Sequence, residues 1–423
     1  MPRPRVSLAS FLASAKSALH HANQQSSTLT FVVGNEAAGK SMRACESAVA
    51  NESADLDSLC SAVVLAYLRT YASSSPAETL YIPLSNVPHT DLALRPELLP
   101  VLSRANLKLS DLITLSELPS LSQASSRLAP ERTRWLLVDH NALLGELGRF
   151  YGPRVIGCID HHDDEEKVPG DCGDEPRVIK KSGSCSSLVV EYCRGAWDAM
   201  SARSSGAETT TRWDAELARL ALGPVLIDTS NLESDAKTTY TDVEAMRYLK
   251  RFVVAQEGAE FKASDYYEEI WTAERDVDGL SLTDLLRKDY KQWTENGVNL
   301  GVCSVVKNVE FLLQKADRQD EFFNTLKDFC RDRDLSICCV MTRASTKDGR
   351  FERELFAWGL DEKGVEAVQK FEAQSTEKLG LETWKNGSLD FKGDRQWRKC
   401  WVQHQIEHSR KQVAPLLRSS MAS

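Results

Sequence analysis

The stretch RVIGCIDHH, residues 154–162, decides how this chain is read. A short apolar run stops at Asp160, His161 and His162, the pattern of a buried strand giving way to a polar loop. The same build recurs in both directions, at TLTFVV (28–33), TLYIPL (79–84), RWLLVDH (134–140) and ALGPVLIDT (221–229). Between these runs lie stretches with helical periodicity, such as LDSLCSAVVLAYLRTYA (56–72) and SCSSLVVEYCRGAWDAM (184–200). Strand–helix alternation predicts an α/β fold with a doubly wound, mostly parallel sheet. In such sheets ligands bind at the carboxyl ends of the strands, where the aspartates and histidines fall.

Composition sets the outer bounds. With 423 residues, 42% of them apolar and 27% charged, the chain can bury the cores of two or three ordinary domains. A net charge of −9 argues against a general nucleic-acid binder, although a local basic patch or bound cations can still receive a polyanion. No apolar run has the length of a membrane span. The 11 cysteines show no CxxC pair and read as reduced, partly buried residues in a cytoplasmic setting. The basic, Ser-rich start superficially resembles a mitochondrial transit peptide. Leu8, Phe11, Leu12, Ala15 and Leu19 nevertheless share one helical face, so an amphipathic first helix packed on a core is expected. No protein partner is evident.

Two domains are expected, 1–258 and a smaller α/β domain 259–423. The polar run SARSSGAETTTRW (201–213) reads as a surface loop, and FKASDYYEEIWTAERDV (261–277) as the opening helix of the second domain. Strand-like runs follow at GVNLGVCSVV (297–306) and LSICCVMTR (335–343), with EFFNTLKDFCRDRD (321–334) an exposed helix.

Asp139, Asp160 and Asp228 each end an apolar run, and Asp55 and Asp57 precede a long apolar helix. One such aspartate is an ordinary cap or turn residue. A set converging on one sheet edge would repel unless cations lay between the carboxylates. Oxygen ligands with imidazole and no thiolate suit Mn²⁺ or Mg²⁺, with Co²⁺ a further candidate. Two such ions clamp the attacking and leaving oxygens of a phosphoryl transfer, so hydrolysis is the natural reaction class.

NESADLDS, LLVDHN, IDHH followed by GSCSS (183–187), and LIDTSN resemble the ordered motifs of the DHH phosphoesterase superfamily. LLRKDYKQW (285–293) and HSRKQVAP (408–415) resemble the basic motifs of the C-terminal domain shared by family II inorganic pyrophosphatases and fungal exopolyphosphatases. The resemblance implies that Asp55, Asp57, Asp139, His161 and Asp228 ligate the metals. It implies that His162 contacts a phosphate or the leaving oxygen, and that Lys291, Arg410 and Lys411 bind substrate, the active site lying in the cleft between the domains. The first motif opens with an asparagine as in exopolyphosphatases rather than pyrophosphatases; Asn51 has the right spacing to Asp55 and Asp57 and is favoured, with Asn35 at the strand end the alternative. Asp160-His161-His162 differs from the Asp-His-Arg of the prune relatives. Metal-dependent release of terminal orthophosphate from inorganic polyphosphate is therefore implied. A pyrophosphatase or a cyclic- or short-nucleotide phosphodiesterase are the alternatives.

One departure stands out. Asn-Glu occurs at 35–36 and again at 51–52, separated by AAGKSMRACESAVA, as if a segment at 37–52 interrupted the first motif. A translated short intron is one hypothesis, and a catalytically impaired polyphosphate-binding protein is a consequence to weigh. The segment also creates GNEAAGKS (34–41), which matches the phosphate-binding loop pattern GxxxxGK[ST]. A P-loop NTPase would leave the Asp-His-His triplet, Asp55, Asp57 and the C-terminal basic motifs unexplained.

Overall fold

The computed structural model describes residues 3–21, 28–36, 55–71, 79–119, 128–203, 208–258, 260–346, 348–393 and 395–421. Asn51 and the 37–52 segment lie outside the described residues, as does most of the GNEAAGKS pattern.

In the first unit, β1 (Leu29–Val33), β2 (Tyr81–Leu84), β3 (Thr133–Val138), β4 (Val155–Asp160) and β5 (Arg177–Ile179) form one sheet. Its order is β2-β1-β3-β4-β5, and every pairing is parallel. Side chains alternate between two cores, as a sheet covered on both faces requires. Val32, Leu136, Val138 and Ile159 face one core, while Phe31, Val33, Trp135, Leu137 and Cys158 face the other. Phe31 stacks on Trp135 and Trp135 on Tyr151, with centroids 4.5 and 4.8 Å apart. The sheet is the expected doubly wound one, and its order reverses between β1 and β3. Val33 pairs with Leu137 and Val138 with Ile159. Asn35 and Asp139, just past their strands, and Asp160, the last residue of β4, therefore gather at the carboxyl edge beside that switch point.

The first helix, Leu8–His20, buries the expected stripe Leu8, Phe11, Leu12, Ala15 and Leu19 and is capped by Ser7, whose side chain accepts from Ser10 N. Phe11 meets Tyr67 and Tyr71 edge-on, at 5.4 and 6.1 Å. Phe11→Ala empties that aromatic socket and should cost about 3–5 kcal/mol, measurable as a lowered urea midpoint at unchanged slope.

Two sequence expectations are corrected here. ALGPVLIDT is the end of a helix, Glu208–Asp228, not a strand. Residues 214–226 are buried on all sides, so their apolar run lacks the one-sided stripe that marks a surface helix. The supposed loop 201–213 is largely helical, shared between Cys185–Arg203 and Glu208–Asp228. Its polar residues are the solvated ends of helices that pack through Trp197 and Asp214, whose Oδ1 accepts from Trp197 Nε1 at 2.8 Å.

The first compact unit ends at Asp276 and the second begins at Val277. The helix Ala263–Arg275 thus belongs to the first unit, against the boundary expected at 258/259. The cause is packing: Tyr266 and Ile270 are buried in the first core, and Tyr266 OH donates to Arg219 O at 3.1 Å.

The second unit carries β6 (Tyr290–Glu295), β7 (Val298–Val305), β8 (Ile337–Thr342), the short ribbon β9 (Ala344–Ser345) and β10 (Phe351–Glu352), β11 (Glu354–Gly359), β12 (Leu381–Thr383), β13 (Phe391–Lys392) and β14 (Trp397–Gln403). The main sheet runs β12-β14-β11-β8-β7-β6, with β13 on β14. Among the described residues of this unit, β7 and β8 pair in parallel and the other pairings are antiparallel. Helices Val309–Lys315 and Gln319–Arg331 contribute to the core on one face, and Glu362–Leu379 and Arg410–Met421 to that on the other. No described helix is long and apolar enough to cross a membrane.

Candidate metal centre

Asp139 is the hub of the carboxyl edge. It leaves β3 with φ +65°, a left-handed conformation that Asp and Asn tolerate better than most side chains. Its backbone is held on both sides: Asp139 N donates to Ile159 O at 3.0 Å, and Asn35 Nδ2 donates to Asp139 O at 3.3 Å. Ser58 Oγ donates to Asp139 Oδ2 at 2.5 Å and also accepts from Asn35 N at 3.2 Å. That leaves Oδ1 facing His161 Nε2 at 3.1 Å and His162 Nδ1 at 3.8 Å.

The two histidines are oriented differently. His161 Nδ1 lies 3.0 Å from Ser182 O and carries a proton, which turns Nε2, the atom free to ligate a metal once deprotonated, toward Asp139. Burial by itself lowers the His161 pKa; the Asp139 carboxylate, with Asp57 and Asp228, outweighs it and carries the group up to about 10. His162 Nδ1 instead lies 2.8 Å from Asp160 Oδ1, which also accepts both backbone N–H groups of the pair, at 2.8 and 3.2 Å. Burial would raise Asp160, yet His162 and the Asn141 amide, 2.5 Å from Oδ2, bring it down to about 2. Asp160 is thus a fixed anion that orients His162. Asp139, His161 and His162 can present ligand atoms all within 4.8 Å of one another.

The remaining carboxylates come from helix ends. Asp55 caps the helix Leu56–Tyr71, its Oδ1 accepting from Asp57 N and Ser58 N at 3.1 and 3.2 Å. Asp57 accepts from Cys185 N at 2.6 Å and Ser186 N at 2.9 Å, tying the start of the Cys185–Arg203 helix, the GSCSS motif, to the site. Asp228 ends its helix, followed by three residues at positive φ, Ser230, Asn231 and Leu232. Burial, then the fields of Asp57 and Asp55, push Asp228 well above the usual carboxylate range; burial and Asp139 push Asp57 up to about 6. Asp55 is raised by burial and Asp57.

These observations are a test of metal binding that rests on the residues alone. Burial and neighbouring carboxylates raise Asp55, Asp57 and Asp228, and the buried Asp228 Oδ2 has no hydrogen-bond partner among the described residues. Clustered anions of this kind are stable when cations divide them. The donor set of carboxylate oxygens and imidazole fits hard or borderline divalent ions. The expected ligands Asp55, Asp57, Asp139, His161 and Asp228 are thus brought into one electrostatic cluster, and His162 stands beside them.

In the second unit Arg410 opens the helix Arg410–Met421 and grips Asp289, with Nη2 2.8 Å from Oδ1 and Nη1 donating to the backbone O at 3.1 Å. Lys291 lies on β6, and Lys411 is exposed next to Arg410. Burial would raise Asp289, but Arg410, Arg343 and Lys291 hold it down at about 2. Sequence reading missed the positional roles of Ser58 and Asn141, whereas Asn35, the alternative to Asn51 for the first-motif asparagine, is found against Ser58 and Asp139. It also missed Asp242, which accepts from Gly183 N and Ser184 N at 2.8 and 3.2 Å and so shapes the turn behind His161.

Comparison with known proteins agrees with this geometry. Residues 268–420 match the DHHA2 domain family. The chain is 33% identical over 383 residues to a Schizosaccharomyces pombe protein named "Putative exopolyphosphatase", covering 88% of this chain and 89% of that one. It is 27% identical to mouse Exopolyphosphatase PRUNE1, over 69% of this chain and 58% of the relative. A crystal structure described as a "Methanococcus jannaschii putative family II inorganic pyrophosphatase" shares the fold, with TM-score 0.55 at 18% identity, over 93% of this chain and 99% of the other. A fold of this kind with carboxylates and imidazoles at its sheet edge defines a DHH-type phosphoesterase. The chain belongs to that superfamily, among its exopolyphosphatase-like proteins.

Proposed function

We propose that this protein is a metal-dependent phosphoanhydride hydrolase that releases terminal orthophosphate from inorganic polyphosphate, using two Mn²⁺ or Mg²⁺ ions, with Co²⁺ a substitute. The observation that carries the reading is the cluster of buried carboxylates around Asp139 and His161, in which burial and neighbouring acids raise Asp57 and Asp228. Bound divalent ions would lower the pKa of an attacking water and neutralise charge on the transferred phosphoryl group. Asp55, Asp57, Asp139, His161 and Asp228 would hold them. Asp160 fixes His162 through Nδ1, which leaves Nε2 for a phosphate oxygen or the leaving group. Lys291, Arg410 and Lys411 supply the cations that a polyanion needs, the guanidinium as a fork and the lysines as point charges. The described cysteines are all free, which suits the cytoplasm. Nucleotide-binding and nucleotide-cleaving readings gain nothing from the relatives, whose names are those of exopolyphosphatases.

The test is the product pattern. Terminal cleavage yields orthophosphate from the first turnover while the residual chains shorten gradually; early mid-length fragments would mean internal cleavage and overturn the reading. His162→Gln should lower turnover about 10²-fold while leaving metal affinity intact, read by calorimetric titration of Mn²⁺. A collapse of metal affinity would instead make His162 a ligand.

A further inference from the structure

We infer that Asp242 is a positioning residue of the metal centre: from a separate helix it fixes the turn 182–184, whose Ser182 carbonyl holds the His161 ring in the orientation a ligand needs. The inference deepens the proposed function and rests on its metal centre.

Asp242 lies in the first turn of the helix Tyr240–Glu257 and is buried. As the acid of a capping box, its Oδ2 accepts from Thr239 N and Thr239 Oγ1, both at 2.7 Å. A cap needs no more than this. The same carboxylate nevertheless takes two further donors from a distant stretch of chain, Gly183 N at 2.8 Å on Oδ2 and Ser184 N at 3.2 Å on Oδ1. Only a glycine lets the turn approach so closely. A Cβ on residue 183 would stand 2.6 Å from Thr229 Cγ2, 2.7 Å from Lys237 O and 3.0 Å from Asp242 Oδ2.

The turn is tied to the centre on both sides. Before it, Lys180 N donates to Asp160 O at 3.1 Å; after it, Cys185 N and Ser186 N donate to Asp57. Ser182 Oγ donates to Ser184 O at 2.7 Å, closing the turn on itself, and Ser182 O lies 3.0 Å from His161 Nδ1. A carbonyl that accepts from Nδ1 fixes both the orientation and the tautomer of a ligating imidazole, and such outer partners are worth about 10–100-fold in metal affinity. Ser182 makes that bond with its backbone, so its own side chain does not decide it. The group that holds the carbonyl in place is Asp242. Both of its oxygens accept, so an asparagine there has the right size but must turn its amide NH₂ toward one of the donors. One side of the turn is then released.

The test uses the full chain. Calorimetric titration gives the Mn²⁺ Kd for the wild type, Asp242→Asn and Gly183→Ala, each alone and combined with His161→Gln, and for Phe11→Ala, which loosens the aromatic socket of the first helix. In parallel, the Nδ1 proton of His161 is followed in the metal-free protein by NMR with isotope-labelled histidine, assigned by its absence in His161→Gln. Asp242→Asn should raise the Kd about 10–100-fold and lose the slowly exchanging Nδ1 proton. In the His161→Gln background it should add no more than about twofold. Gly183→Ala should follow in direction, and it carries the test where Asp242→Asn does not fold. Phe11→Ala should lower the thermal midpoint and leave the Kd unchanged. An Asp242→Asn protein that loses thermal stability but keeps the wild-type Kd and the protected proton would make Asp242 a helix cap and overturn the proposal. So would a full Asp242→Asn effect in the His161→Gln background. If the wild type binds no Mn²⁺, yet its protected proton is present and lost in Asp242→Asn, the hold on His161 stands and the metal reading falls.

Discussion

Asp139→Asn should reduce metal-dependent turnover by about a thousandfold or more, a loss of about 4 kcal/mol of transition-state stabilisation. Asparagine is the informative replacement because residue 139 sits at φ +65°, where Asn is tolerated and alanine would add backbone strain. The side chain can still accept from Ser58 Oγ, and the backbone bonds to Ile159 and Asn35 do not involve the side chain. What disappears is the charge facing His161 Nε2. The fold should survive, with a near-native thermal midpoint, while metal affinity and turnover fall together. A variant that keeps normal metal-dependent rates would remove Asp139 from the centre. Loss of rate with full metal affinity would make it a group that acts on substrate instead.

The second large effect concerns metal removal and pH. Burial and Asp139 raise Asp57 to about 6, and burial and Asp57 raise Asp228 as well, whereas unfolded aspartates titrate near about 3.9. Such acids bind more protons folded than unfolded, so metal-free stability falls as pH rises from about 4 through 6. His161, raised to about 10 by Asp139 against the effect of burial, adds a second decline as pH climbs from about 6.5 towards 10. Divalent ions replace those protons and bind tighter as pH rises. Metal at about a hundred times its dissociation constant adds about 2.7 kcal/mol. The Mn²⁺-induced rise in thermal midpoint should therefore be several degrees at pH 8 and much smaller at pH 5. An equal rise at both would show that metal and protons do not compete for these carboxylates.

Much of this was legible in the sequence because it lives in local patterns. Apolar runs ending in Asp139 and Asp160 became parallel strands, and the stripe from Leu8 to Leu19 became a buried helical face. Asp228 shows where local pattern fails. Its apolar run is buried on every side, so strand and helix look alike until neighbours are known, and it proved helical. The helix Ala263–Arg275 was assigned to the wrong unit because its sequence is polar, and only Tyr266 and Ile270 reveal which core it joins. Ser58 was invisible for a different reason: it is an ordinary helix serine that meets Asp139 only because the fold brings two elements together over it.

The central claim is hydrolysis of polyphosphate at the Asp139–His161 metal centre. Its most direct test is orthophosphate release from medium-length polyphosphate by the purified full chain, with Mn²⁺ or Mg²⁺, then after chelation, then after the metal is restored. The account predicts steady release with metal, none above background without it, and full recovery on its return. Release that ignores chelation, or no release with any divalent ion while the protein remains folded and binds the metal, would contradict it.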